Sequence, residues 1–136
     1  MNIAIALNKK YVEYTAVMLL SLCMNNKKHH IDIYLLHSEL EENDIEKLRS
    51  TIKEYDVTLI ETKVEKAIFE EKCKSSEQWS IETYFRLLLL DILPETVERL
   101  LYLDVDMLII NDIFDMYNSE FNGNDIFVVK DMSGTL

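Results

Sequence analysis

Glycine and proline are nearly missing from these 136 residues, which hold two and one of them, respectively. Collagen-like and linker-rich disordered chains are excluded by that scarcity. It also removes the loops that cradle phosphates through bare backbone. With only Gly123 and Gly134, neither G-x-G-x-x-G nor a P-loop can be written, and the turn Asn8-Lys9-Lys10-Tyr11 has no glycine. NAD dehydrogenases and P-loop kinases are therefore poor readings. Cysteine is equally sparse: Cys23 and Cys73 lie too far apart for a disulfide framework or a zinc motif. Cys23 falls on an apolar helical stripe and reads as a buried free thiol, which fits a reducing cytoplasm. No basic segment followed by a long apolar stretch opens the chain, so no secretory signal is visible. Apolar runs such as residues 87–90 are far too short to span a bilayer. Positive charge is scarce too, with 14 Lys and Arg against 25 Asp and Glu and a formal net charge of −11. Such a surface repels phosphate backbones, which argues against nucleic-acid binding.

What is present is a core. Hydrophobic residues make up 49% of the chain, enough for one compact domain over residues 1–136. Residues 2–7 read as a short buried strand. Residues 11–24 read as a helix whose Val12, Ala16, Leu19, Leu20 and Cys23 recur at helical spacing. Residues 31–37 return to strand composition. Ser38 with Glu41 has the form of a capping box, and the helix that follows carries Ile45, Leu48, Ile52 and Tyr55 on one face. A third strand is expected at 57–60, a helix at 64–72 and a polar loop at 74–78. An apolar helix at 81–93 is ended by Pro94. Then come a buried strand at 99–103, extended chain at 107–110, a short helix at 113–117 and a strand at 126–129.

Strand alternating with helix predicts an α/β, Rossmann-like, mostly parallel sheet with helices on both faces. Ligands in such sheets sit at the carboxyl ends of the strands, here Leu7-Asn8-Lys9, His37-Ser38 and Asp104-Val105-Asp106. The layout ends just after a strand and reads as the N-terminal part of a longer protein. An apolar edge left uncovered in that way would favour self-association, so a homo-oligomer is one expected state.

Asp104 and Asp106 are the most informative pair. In extended chain, residues i and i+2 point to one side, so both carboxylates can reach one hard cation such as Mg²⁺ or Mn²⁺. A cation there would neutralise a phosphorylated ligand on an acidic protein. The bare pattern is weak, since ten aspartates give about 0.7 chance occurrences. Its setting between the apolar runs LLYL and MLII strengthens it, because carboxylates in a sheet interior are costly unless paired or metal-bound. The other readings are a solvated turn or ion pairs with Arg86 or Arg99. Arg86 lies in the apolar run Tyr84-Phe85-Arg86-Leu87-Leu88, where a guanidinium seeks a carboxylate or a phosphate. Tyr11 either stacks on a base or simply packs. His29, His30 and His37 share no ligand spacing with the aspartates.

The combination Tyr-x-Arg-Leu, about fifteen residues of apolar segment, and then Leu-Tyr-Leu-Asp-x-Asp is far more specific than Asp-x-Asp alone. With NIAIALNKKYVEYTAVMLLSL at the start, the chain resembles family 8 glycosyltransferases along essentially its whole length. These are retaining enzymes of GT-A type that include bacterial lipopolysaccharide galactosyl- and glucosyltransferases and glycogenin. The resemblance implies transfer of a hexose from a UDP-sugar to a saccharide or glycolipid acceptor, with Mn²⁺ or Mg²⁺ as cofactor. It implies a cytoplasmic protein, peripheral at the inner membrane face. It assigns Ala6, Leu7, Asn8 and Tyr11 to the uridine, and Asp104 and Asp106 to the metal. The backbone of Val105 falls to the ribose, Arg86 to the donor sugar and diphosphate, and Asp131 to the sugar or acceptor pocket. Family members often carry Asp where Asn8 stands and Asn where Lys10 stands, so the base preference is open. A third metal ligand (a His) and a Lys near the diphosphate are implied beyond Leu136, so this chain alone is expected to bind donor poorly. The competing readings are a non-catalytic, self-associating module and an aspartyl phosphatase. The phosphatase pair usually follows the first strand with Thr two residues on, where this chain has Leu108.

Overall fold

A computed structural model describes residues 1–65 and 81–128. Strand β1 spans Asn2–Ala6, helix α1 Val12–Asn25, β2 Ile31–His37, α2 Glu42–Ile52 and β3 Val57–Lys63. A 3-10 segment, Ile81–Leu88, runs into the single turn α3 at Leu89–Ile92. Strand β4, Leu101–Tyr102, and the short helix α4, Phe114–Tyr117, complete the described elements. The four strands form one sheet in the order β3-β2-β1-β4, and every pairing is parallel.

Alternation along the strands feeds two cores. Ile3, Ile5, Ile31, Ile33 and Leu35 point to the face covered by α1 and α2, where they meet Met18, Leu19, Leu22, Ile45 and Leu48. Ala4, Tyr34 and Leu36 point to the opposite face, against Phe85 and Leu89. A parallel sheet covered on both sides needs apolar residues on both, which is why these strands read as near-continuous hydrophobic runs. The order reverses at β1: the chain steps outward to β2 and β3, then returns to β1's other side as β4. The crevice at such a reversal is where open α/β sheets bind ligands.

Several expectations shift. The capping box of α2 is Glu41 with Asp44, not Ser38 with Glu41. The Glu41 N–H donates to Asp44 at 3.0 Å, while Ser38 turns to another partner. On α1 the buried face is Val12, Thr15, Met18, Leu19, Leu22 and Cys23, and Leu20 points outward. Three-residue winding replaces an α-helix over most of 81–93. Strand β3 runs three residues further than expected, whereas β4 pairs only at Leu101 and Tyr102. Arg99 is drawn off instead: its guanidinium donates to the carbonyls of Tyr117 and Ser119 and lies 4.7 Å from the Phe121 ring. The strand expected at 126–129 is absent over 126–128. Val64 and Glu65 are not helical; the rest of the helix expected at 64–72, the loop at 74–78, and Cys73, Val129 and Asp131 lie outside the described residues.

Candidate active site

The site is built from three strand ends. Beyond the last paired positions of β1 and β4, Ala4 and Tyr102, the ladder extends through the Leu103 N–H, which donates to the Ala4 carbonyl at 3.0 Å. Two residues past those positions on either strand stand Ala6 and Asp104. Ala6 is half-buried; Leu7 is buried, and its N–H donates to the Leu36 carbonyl at 3.2 Å, joining this end of β1 to β2. Asn8 begins a 3-10 turn at Lys9–Tyr11, and its side-chain Oδ1 accepts from the Lys10 N–H at 3.0 Å. A short polar side chain that caps a turn in this way replaces the glycine absent from the loop. Tyr11 is exposed, with its ring 5.8 Å from that of Tyr14.

Past β4 the chain does not stay extended. Val105 and Asp106 lie in a turn, so the expected geometry of i and i+2 carboxylates on one side of a strand does not hold. This is the solvated turn of the alternative reading, and the cost of carboxylates in a sheet interior does not arise. Both carboxylates are exposed while Val105 between them is buried in the core. The buried valine anchors the turn and leaves its two flanking acids in solvent. Among the described residues no ion pair joins either acid to Arg86 or Arg99. Two exposed hard oxygen donors are of the type that Mg²⁺ or Mn²⁺ takes, since these ions keep several waters and use few protein carboxylates. Among the described residues no three or more His, Cys, Asp or Glu come together as a group that could hold a metal ion.

Arg86 is exposed on the 3-10 segment, its guanidinium 5.0 Å from the ring centre of Tyr102 in β4. Burial raises the Tyr102 phenol above its usual range, the Arg86 charge pulls it back and the Asp104 charge pushes it up. Both charges thus act on one side chain at the β4 end. Behind this front, sequence reasoning marked His37 and Ser38 only as a strand end and missed Glu82. His37 is fully buried at the end of β2; its Nδ1 accepts from the Leu40 N–H at 3.1 Å, so Nε2 carries the proton to Glu61 at 3.1 Å. Ser38 Oγ donates to the buried Glu82 at 3.1 Å. A carboxylate between Ile81 and Phe85 in a run this apolar was the available signal for Glu82.

The profile described as glycosyl transferase family 8 matches residues 2–135. The chain belongs to glycosyl transferase family 8. Similar proteins include a lipopolysaccharide 1,2-glucosyltransferase of Escherichia coli K12, 28% identical over 135 residues, covering 97% of this chain and 39% of that protein. A probable galacturonosyltransferase-like 4 of Arabidopsis thaliana is 28% identical over 131 residues, 90% of this chain and 36% of that one. Among solved structures, the galactosyltransferase LgtC in complex with donor and acceptor sugar analogs superposes with a TM-score of 0.77 at 20% identity, covering 89% of this chain and 43% of LgtC. GlyE of Streptococcus pneumoniae TIGR4 gives 0.66 at 23% identity, over 88% of this chain and 27% of GlyE. At those identities the likeness is one of fold, the GT-A type of family 8. The family 8 chain spans about two-fifths of the length of the first of these relatives. No helix among its described residues is long and apolar enough to cross a membrane.

Proposed function

We propose that this family 8 chain holds the nucleotide-sugar donor of a retaining hexosyltransferase, with UDP-sugar as donor and a saccharide or glycolipid as acceptor. The observation that carries the reading is the pair of exposed carboxylates, Asp104 and Asp106, without an ion pair among the described residues, on the turn after β4 at the sheet's reversal. A protein of net charge −11 has to offset the charge of a diphosphate locally. Asp104 and Asp106 would hold a divalent cation, Mn²⁺ or Mg²⁺, which when bound supplies that neutralisation. Arg86, braced on Tyr102, is the cation the chain itself contributes to the diphosphate. The β1 end supplies Ala6, Leu7 and Asn8 for the base, with Tyr11 exposed nearby for its flat face. Buried Val105 fixes the backbone beside the ribose. Asp131 is the acid proposed for the sugar or acceptor pocket.

The chemistry assigned to these groups is charge stabilisation. As the bond from the anomeric carbon to the diphosphate oxygen breaks, negative charge grows on the departing nucleoside diphosphate, where Arg86 is placed to oppose it. The acceptor hydroxyl then attacks the anomeric carbon with retention. Such a protein would work in the cytoplasm at the inner membrane face.

Isothermal titration of UDP into the chain in Mn²⁺ tests the reading. Metal-dependent heat that is lost with EDTA and weakened in Arg86→Ala is the expected result. Equal binding with and without metal, or none at millimolar UDP, would leave only the non-catalytic reading.

A further inference from the structure

Among the described residues Glu82 is the one acidic side chain that is buried, 5% exposed, at the start of the segment that carries Arg86. A carboxylate taken out of water has to be hydrogen-bonded. Its partner is Ser38, whose Oγ donates at 3.1 Å. Ser38 follows His37, the last residue of β2, which is tied on both its carbonyl and its ring. The preceding carbonyl, that of His37, accepts the Val64 N–H at 2.7 Å, and the His37 ring holds the Leu40 N–H and Glu61.

The winding of the segment explains the rest. In a 3-10 helix, residues three apart lie one above the other. Glu82 and Phe85 therefore share the inner face, and both are buried. Arg86, one residue on, turns outward and reaches the Tyr102 ring at 5.0 Å. The segment is thus held at three points: by Glu82 to the end of β2, by Phe85 in the core, and by Arg86 to β4. Those two strands flank β1, so the segment bridges the crevice where the order of the sheet reverses. One Glu82 oxygen accepts from Ser38, which ties the start of the segment to the end of β2.

We propose that the Ser38–Glu82 hydrogen bond is a latch that positions Arg86 for the diphosphate, making Glu82 a positioning residue of the donor site. This rests on the reading of Arg86 as a diphosphate contact.

The test is a double-mutant cycle read by titration calorimetry in Mn²⁺, with UDP and with uridine as separate probes. Glu82→Ala should weaken UDP about five- to tenfold and leave uridine unchanged. Glu82→Gln keeps an acceptor oxygen for Ser38 and should stay within about twofold of the parent. In an Arg86→Ala background, Glu82→Ala should cost nothing further. Ser38→Ala, which removes only the donor, should reproduce the Glu82→Ala loss and serves where that variant does not fold. Loss of UDP in Arg86→Ala with an additive Glu82→Ala effect would overturn the latch alone. So would equal weakening of uridine, or tighter UDP in Glu82→Ala. An Arg86→Ala variant that binds UDP like the parent would overturn the diphosphate reading and the latch together.

Discussion

Replacing Phe85 by alanine asks whether the 81–88 segment is wound and seated as described. The Phe85 ring is fully buried in the core beneath the segment, against a cluster that includes Ala4, Tyr34, Leu36 and Leu89. Removing a buried phenyl group forfeits its transfer energy and leaves a cavity, a loss of about 3–5 kcal/mol. For a chain of this length that corresponds to a fall in Tm of roughly 10–20 °C. Leu87, two residues on, is 68% exposed. Its truncation should cost within about 0.5 kcal/mol. Urea unfolding of both variants, followed by far-UV circular dichroism, reads the difference as a shift of midpoint at constant slope. A loss above about 1 kcal/mol in Leu87→Ala, or below about 1 kcal/mol in Phe85→Ala, would refute the seating of the segment and with it the outward direction of Arg86.

Asn26 is 1% exposed at the end of α1, where its amide donates to the Leu22 carbonyl at 2.9 Å and accepts the Ile113 N–H at 2.9 Å. Asn26→Ala should destabilise by about 1–3 kcal/mol in thermal unfolding, because it removes a buried amide and leaves the part-buried Ile113 N–H without its acceptor. Burial pushes the Cys23 thiol up to about 11 from its ordinary 9.0. The unfolded thiol ionises first, so this group's contribution to stability is full below about pH 9 and declines as pH rises towards about 11. In a Cys73→Ser background, a disulfide reagent at neutral pH should label Cys23 only as fast as the chain opens. Hydrogen bonds to Asp56 and Asp32 raise the His30 imidazole above its ordinary 6.5. That contribution is full below pH 6.5 and is lost as pH rises through the raised value, and His30→Gln should remove the dependence. An NMR titration midpoint for His30 at or below 6.5 would contradict it.

The parts of the fold that were legible in the sequence are those with strong periodicity. Strands β1 and β2 and helices α1 and α2 follow from apolar runs and stripes whose partners lie on both faces of a parallel sheet. Leu20 misleads because it sits one position beyond the buried stripe, and apolar character alone does not report facing. The segment 81–93 misleads for a different reason: a run apolar on most sides fits either winding, and Tyr102 and Ser38 decide it from outside the segment. Strand β4 is shortened by Arg99, whose contacts with Tyr117 and Ser119 are set by tertiary placement. Of the candidate site, alternation put Asn8 and Asp104 at strand ends, but it does not give the strand order that makes β1 and β4 neighbours. The turn at Val105–Asp106 was not legible, because a buried valine between two acids fits a strand as well as a turn. The Ser38–Glu82 contact joins residues 44 positions apart, beyond the reach of any local pattern.

Water-proton relaxation of Mn²⁺, titrated with the chain and UDP together, tests the central assignment most directly. Enhancement that requires UDP and falls about tenfold or more in apparent affinity in both Asp104→Asn and Asp106→Asn is the result expected of a shared carboxylate–diphosphate site. Enhancement unchanged in both variants, or already complete without nucleotide, would contradict it.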